Sequence, residues 1–267
     1  MSSHSHEHAH AHGYGHGHSH EHGHDHSHDN AHAHAHDHDS TVEHNAAYFD
    51  ELAERYENVR GARELIGHLG TVMRDAASFD KESTTVLDFA CGVGMLSRQL
   101  IPHVKTITGV DISKGSIGAY NRKTAETGAA ERMSAVALDL KGAPGELDDK
   151  KFDVAVCTMA FHHFASPEAY TKTLAYYLKP GGKLLVADFM PTAAFDDSNT
   201  TEKMRAAVPH MKGFPESTMK EMFESAGLTE FKYTKVWRGP APMPDANIPD
   251  EERMIDVFLA EGTKPKL

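Results

Sequence analysis

The chain has 267 residues, 39 acidic against 27 basic side chains, a formal net charge of −12 and 22 histidines. That balance lacks the basic footprint that binding a phosphate backbone demands, which argues against a nucleic-acid partner. Two cysteines, Cys91 and Cys157, are too few for a disulfide framework, and no run of about 18 apolar residues is present to cross a bilayer.

The first 40 residues are nearly all His, Ala, Gly, Ser, Asp and Glu, with no Leu, Ile or Phe, and 17 of the histidines lie at or before His44. Such a stretch cannot bury enough apolar surface to offset its conformational entropy, so residues 1–42 are expected to be a disordered tail. Seven of the 39 acids and none of the bases precede Asn45, leaving 32 acids against 27 bases in the remainder. Alternating histidines (His4, His6, His8, His10, His12 and again His32 to His38) can chelate Zn²⁺, Ni²⁺ or Cu²⁺. No such ligand set recurs downstream. The N-terminus has neither the apolar segment of a signal peptide nor the arginines of a transit peptide, so a cytoplasmic or nuclear location is expected.

After the tail, Ala47, Phe49, Leu52, Ala53 and Tyr56 recur at helical spacing and predict an amphipathic helix over His44–Arg60. Leu65, Ile66, Leu69, Val72 and Met73 predict a second over Arg63–Ala77. Strands then alternate with helices. Thr85–Phe89 is a buried strand, followed by a helix to about Ile101. Thr106–Val110 is a strand followed by a helix over Ser116–Gly128. Ser134–Leu138 and Phe152–Cys157 follow as strands, with a helix over Pro167–Leu178. Lys179-Pro180-Gly181-Gly182 reads as a turn before the strand Lys183–Phe189. Pro215–Ala226 is a helix stopped by Gly227. Phe231–Arg238 and Met254–Ala260 are strands with no helix between them, expected to pair antiparallel. The alternation predicts a Rossmann-like α/β fold, a seven-stranded, mainly parallel sheet with helices on both faces and the last strand antiparallel.

Three strand ends carry an acid. Asp88 opens the loop Ala90-Cys91-Gly92-Val93-Gly94, whose small residues let backbone approach a ligand beside a helix N-terminus. A tight turn needing glycine only for packing would look the same. Asp111 follows the second strand, 23 residues after Asp88, where a carboxylate can take both hydroxyls of a ribose. Capping of the next helix is the alternative, a role open to Ser113 as well. Asp139 ends the third strand, placed to meet an adenine edge. Three acids in succession at one rim fit ligand binding outside the carboxyl ends of an open α/β sheet. Phe161-His162-His163-Phe164 follows the fourth strand and offers a general base, or else a structural hydrogen bond.

VLDFACGVG, ITGVDIS, AVALDL, FDVAVCTMAFHHF and LKPGGKLLVADF, in this order from Val86 to Phe189, resemble the successive motifs of the class I S-adenosylmethionine (SAM)-dependent methyltransferases. The closest resemblance is to the small-molecule enzymes of the ubiquinone/menaquinone-biosynthesis type (methyltransferase types 11 and 12). Ala90 departs from the pattern, standing where the first glycine is usual. The resemblance implies that Asp88, Ala90, Cys91, Gly92 and Gly94 hold the methionine moiety and Asp111 the ribose. It places Ile112, Asp139 and Leu140 around the adenine and Thr158 beside the sulfonium. His162 and His163 are the candidate catalytic pair. AYFDELAERYE resembles a lid helix, making Tyr48 and Tyr56 substrate-lining candidates together with Phe161, and with His210 in the segment Asp196–Phe214, where such enzymes often insert a substrate-covering element. A lid over residues 43–80, a SAM-binding core over 84–190 and a substrate-covering and C-terminal part over 191–267 follow. The expected reaction moves a methyl group from SAM to O, N, S or C of a small molecule. A protein methyltransferase and a non-catalytic SAM- or metal-binding regulator are the alternatives.

Overall fold

In a computed structural model of the chain, residues 27–195, 200, 202–243 and 249–266 are described, with side chains of the first helix from Ser40 onward. The expectations for residues 1–26, and for the tail histidines as metal ligands, lie outside what is described. The elements run α1 (Ser27–Leu52), α2 (Ala62–Ala77), β1 (Thr85–Phe89), α3 (Met95–Leu100), β2 (Thr106–Asp111), α4 (Lys114–Glu126), β3 (Met133–Ala137) and β4 (Phe152–Thr158). They continue α5 (Pro167–Tyr177), β5 (Leu178–Phe189), α6 (Glu202–Ala207), α7 (Glu216–Ser225), β6 (Thr229–Pro240) and β7 (Met254–Thr263).

The strands form one seven-stranded sheet in the order β3-β2-β1-β4-β5-β7-β6. Strands β1 to β5 are parallel, and β7 runs antiparallel to both neighbours. The antiparallel strand is therefore internal, with β6 at the edge. Both faces of the central strands are covered. One face packs against α5 and α7 around Leu87, Phe161, Leu174 and Phe223, the other against α2, α3 and α4 around Leu69, Leu96, Tyr120 and Leu185. This explains why Val86–Phe89 reads as a continuous apolar run broken only by Asp88. Each fully buried Leu or Val there contributes about 1.5–3 kcal/mol. Among the described residues no helix is long and apolar enough to cross a membrane.

Two local readings change. The helix predicted over His44–Arg60 stops at Leu52, and a short 3₁₀ turn at Tyr56–Asn58 follows. Arg55 N donates to Leu52 O and Asn58 N to Arg55 O, so i→i+3 bonds take over from the helical ladder. The Pro-Gly-Gly turn is absorbed into the twelve-residue β5 as an irregularity, opposite the register shift between Phe152 and Val154. Gly182 is required there, since a Cβ would come within 2.9–3.1 Å of the carbonyls of Lys179, Asp153 and Phe152.

Strand order reverses between β1 and β4. The crevice above their carboxyl ends is where ligands bind in open α/β sheets.

Candidate active site

A cavity lies in that crevice, floored by the ends of β1, β2 and β4 and roofed by α1. The β1 loop is held by backbone bonds, Cys91 N to Val110 O at 3.1 Å and Gly94 N to Cys91 O at 3.0 Å. Gly94 is needed, since at φ +80° a Cβ would stand 2.5 Å from the Tyr120 ring. Ala90 adopts φ +54°, the left-handed conformation in which glycine is at home. Relief of that strain outweighs the usual cost of glycine, so Ala90→Gly is expected to stabilise the protein by about 0.5–1 kcal/mol. Thermal unfolding should show a rise of roughly 1–4 °C, whereas a fall would mean the loop is unstrained.

Asp111 joins the two loops. Its Oδ2 accepts from Gly92 N at 2.8 Å and its Oδ1 from Ser113 N at 2.9 Å. Burial pushes its carboxyl above the usual range, and the donors from Ser113, Gly92 and Ile112 oppose that rise. The capping alternative falls to Ser113, whose side chain accepts from Ser116 N at 2.9 Å at the start of α4. Asp88 is placed differently from what its motif suggests. It is 1% exposed, does not line the cavity, and accepts from Ser97 Oγ at 2.6 Å. Burial, reinforced by Asp111, pushes its carboxyl up to about 7, while Ser97 pulls the other way.

Of the other SAM candidates, Ala90, Cys91, Gly92, Ile112 and Thr158 line the cavity, while Gly94, Asp139 and Leu140 do not. Leu140 is fully buried in the core, and Leu138, two residues earlier, takes its place at the cavity. Asp139 accepts from Tyr170 Oη at 2.9 Å and pairs with Lys141 at 2.5 Å.

The two histidines after β4 part company. His162 is 9% exposed and points into the protein, where its Nδ1 meets the fully buried Asp188 at 2.8 and 3.1 Å. His163 lines the cavity, with its Nδ1 2.6 Å from the carbonyl of Ala207 at the end of α6. Burial, with His162 alongside, holds the His163 pKa well below 6.5. The two rings lie 4.1 Å apart. Phe161 is fully buried beneath this turn, and Phe164 lines the cavity instead. His210 is not at the cavity either. Its ring packs on Phe214 at 5.2 Å and burial lowers its pKa.

The roof is fastened at both ends. Asn45 Nδ2 donates to His163 O at 2.9 Å, and Asp50 Oδ1 accepts from Ser113 Oγ at 2.6 Å and Gly115 N at 2.8 Å. Past the helix end, Glu57 pairs with Arg98 and, at 2.7 Å, with Lys123. Phe49 and Tyr56 face the cavity, whereas Tyr48 does not line it. Asn45, Asp50 and Asp188 were not among the sequence-derived candidates. Among the described residues no three His, Cys, Asp or Glu side chains come together as a metal site.

The sequence pattern of the methyltransferase domain matches residues 60–231. The chain belongs to this methyltransferase family. Its membership in the class I SAM-dependent superfamily agrees with the motif resemblance. A methyltransferase of Schizosaccharomyces pombe is 31% identical over 195 residues, covering 69% of this chain and 68% of that protein. The ubiquinone biosynthesis O-methyltransferase of Idiomarina loihiensis is 31% identical over 99 residues, 37% of this methyltransferase and 40% of that one. Among solved structures, the YcgJ protein from Bacillus subtilis shares the fold with a TM-score of 0.59 at 20% identity, over 75% of this chain and 99% of that one.

Proposed function

We propose that this methyltransferase transfers a methyl group from SAM to a small molecule held beneath α1. The observation that carries the reading is Asp111. Its carboxylate stands on the cavity at the end of β2, oriented by the backbone N–H groups of Gly92, Ser113 and Ile112, with its remaining acceptor capacity available to a ribose hydroxyl. The neighbouring loop fits such a ligand, because Gly92 has φ +50° and nothing lies within 4 Å of where a Cβ would stand. SAM, when bound, supplies a methyl already activated by its sulfonium charge, which leaves the chain to bind, orient and exclude water.

In this assignment the backbone of Ala90–Gly92 runs beside the methionine portion, and Ile112 and Leu138 offer apolar contact to the adenine. Thr158 stands toward the reacting end. Asp88 acts from below by fixing Ser97 and the start of α3. Residues 43–80 are the lid, 84–190 the SAM-binding core, and 191–267 supply α6 and the closing strands. The fastened roof favours a small acceptor, since a protein substrate needs an open groove. The ubiquinone biosynthesis relative, itself named an O-methyltransferase, is in keeping with a small acceptor.

Calorimetric titration of S-adenosylhomocysteine tests the reading. Asp111→Ala is expected to weaken binding about 100-fold, the loss of charge-assisted bonds worth about 3 kcal/mol. Asp111→Asn, which keeps one acceptor oxygen, separates lost ligand contacts from a loosened loop. Equal affinity in wild type and both variants would overturn the assignment.

A further inference from the structure

Asp50 follows Phe49 on α1, but it is exposed and does not line the cavity. Its side chain reaches across to the start of α4. A single oxygen, Oδ1, takes two bonds there, from the Ser113 hydroxyl and, across 65 residues, from the backbone N–H of Gly115. Ser113 itself accepts from Ser116 N. The first turn of α4 is therefore capped from two sources, one local and one supplied by the roof. A carboxylate suits the second role, because a helix N-terminus carries free N–H groups and partial positive charge.

Ser113 is fully buried and joins two carboxylates, Asp50 through its hydroxyl and Asp111 through its backbone N–H. Asp111 Oδ2 accepts from Gly92 N, so the chain of bonds runs unbroken from the roof to the glycine loop. The approach of α1 to α4 is close enough to require glycine at 115. A Cβ there would stand 3.0 Å from Asp50 O, 3.1 Å from its Cα and 3.2 Å from Oδ1. A second contact with α4, the ion pair of Glu54 with Arg122 at 2.5 Å, lies past the end of α1 and does not touch Ser113.

We propose that Asp50 is a positioning residue for the cofactor site. Through Ser113 it sets the direction of the Asp111 carboxylate, so that seating of the roof and affinity for SAM are one coupled equilibrium. This rests on the SAM reading above. Without Asp50 Oδ1 the buried Ser113 hydroxyl has no acceptor, and satisfying it elsewhere moves the backbone N–H that aims Asp111. The coupling is reciprocal, since a ribose held by Asp111 fixes Ser113 and with it the roof. Asp50 acts without touching the ligand, and the two bonds to Oδ1 carry its effect, not its charge.

The test is titration of S-adenosylhomocysteine into the full chain, with its dissociation followed by stopped flow. Asp50→Ala is expected to weaken binding about tenfold, chiefly through faster dissociation. Asp50→Asn keeps Oδ1, the oxygen that takes both bonds, and should stay within about twofold of wild type. In an Asp111→Ala background Asp50→Ala should cost nothing further, because its route to the ligand runs through that carboxylate. Glu54→Ala removes a contact with α4 away from Ser113 and should leave affinity within about twofold. Gly115→Val pushes the roof off α4 and should reproduce Asp50→Ala, standing in for it if the alanine variant does not fold. Wild-type affinity in Asp50→Ala or in Gly115→Val overturns the proposal and leaves the SAM reading intact. So does an Asp50→Asn variant as weak as the alanine one, which would assign the effect to charge. An undiminished cost of Asp50→Ala beside Asp111→Ala, or an equal loss in Glu54→Ala, overturns it too, making Asp50 a general support of the roof. Failure of wild type to bind S-adenosylhomocysteine defeats the SAM reading and the proposal with it.

Discussion

Asp188→Ala is expected to cost 3–5 kcal/mol, roughly 6–20 °C in melting temperature for a domain of this size. Asp188 ends β5, is fully buried, and its oxygens accept from His162 Nδ1, from Phe189 N at 2.7 Å and from His162 N at 3.3 Å. Alanine leaves all three donors inside the protein without a partner, and each buried orphan costs about 1–3 kcal/mol. Asp188→Asn keeps the volume and one acceptor oxygen, so its loss should be smaller. Because the His162 ring lies against the His163 ring and Phe189, freeing it also disturbs the cavity wall. Thermal unfolding of the two variants decides the matter. If the alanine variant melts within about 2 °C of wild type, the His162–Asp188 pair does not organise this corner.

Asp188 also shows where sequence reading stops. Asp88, Asp111 and Asp139 stand out as acids closing successive strands, and LLVADF closes a fourth in the same way. Its partner His162 is 26 residues away, and only the parallel pairing of β4 with β5 brings the two strand ends together. The order of strands and helices was legible because buried parallel strands leave continuous apolar runs. The direction in which each acid points was not. With both faces of β1 buried, period-two alternation carries no signal, and Asp88 faces Ser97 rather than the cavity. Leu138 and Leu140 fall past the end of β3, where no periodicity remains to choose between them. Phe161 and Phe164 are separated by a 3₁₀ turn that sends the first inward and the second to the cavity. Asn45 did leave a trace, a polar residue in the apolar stripe of Phe49, Leu52 and Tyr56.

Asp88→Asn is expected to stabilise the protein, increasingly so as pH rises. In the folded chain the carboxyl is pushed up to about 7 by burial and by Asp111, against 3.8 for the free group. Between those values the folded state holds a proton that the unfolded state has released. Stability therefore falls with rising pH across this window, and the full penalty, on the order of 4 kcal/mol, is reached above pH 7. The asparagine variant does not titrate, so it escapes the penalty, and its amide oxygen still accepts from Ser97. Its lead over wild type should widen by roughly 2–3 kcal/mol between pH 5 and pH 8, read from denaturant unfolding at each pH. A constant difference across that range would mean the carboxyl titrates normally. Tyr120 Oη donates to Ser97 Oγ at 2.9 Å, and Ser97 in turn to Asp88, so the carboxylate anchors α3 and α4 beneath the glycine loop. A titrating acid at that position makes loop rigidity pH-dependent in wild type. In Asp88→Asn, S-adenosylhomocysteine affinity should then vary less with pH than in wild type.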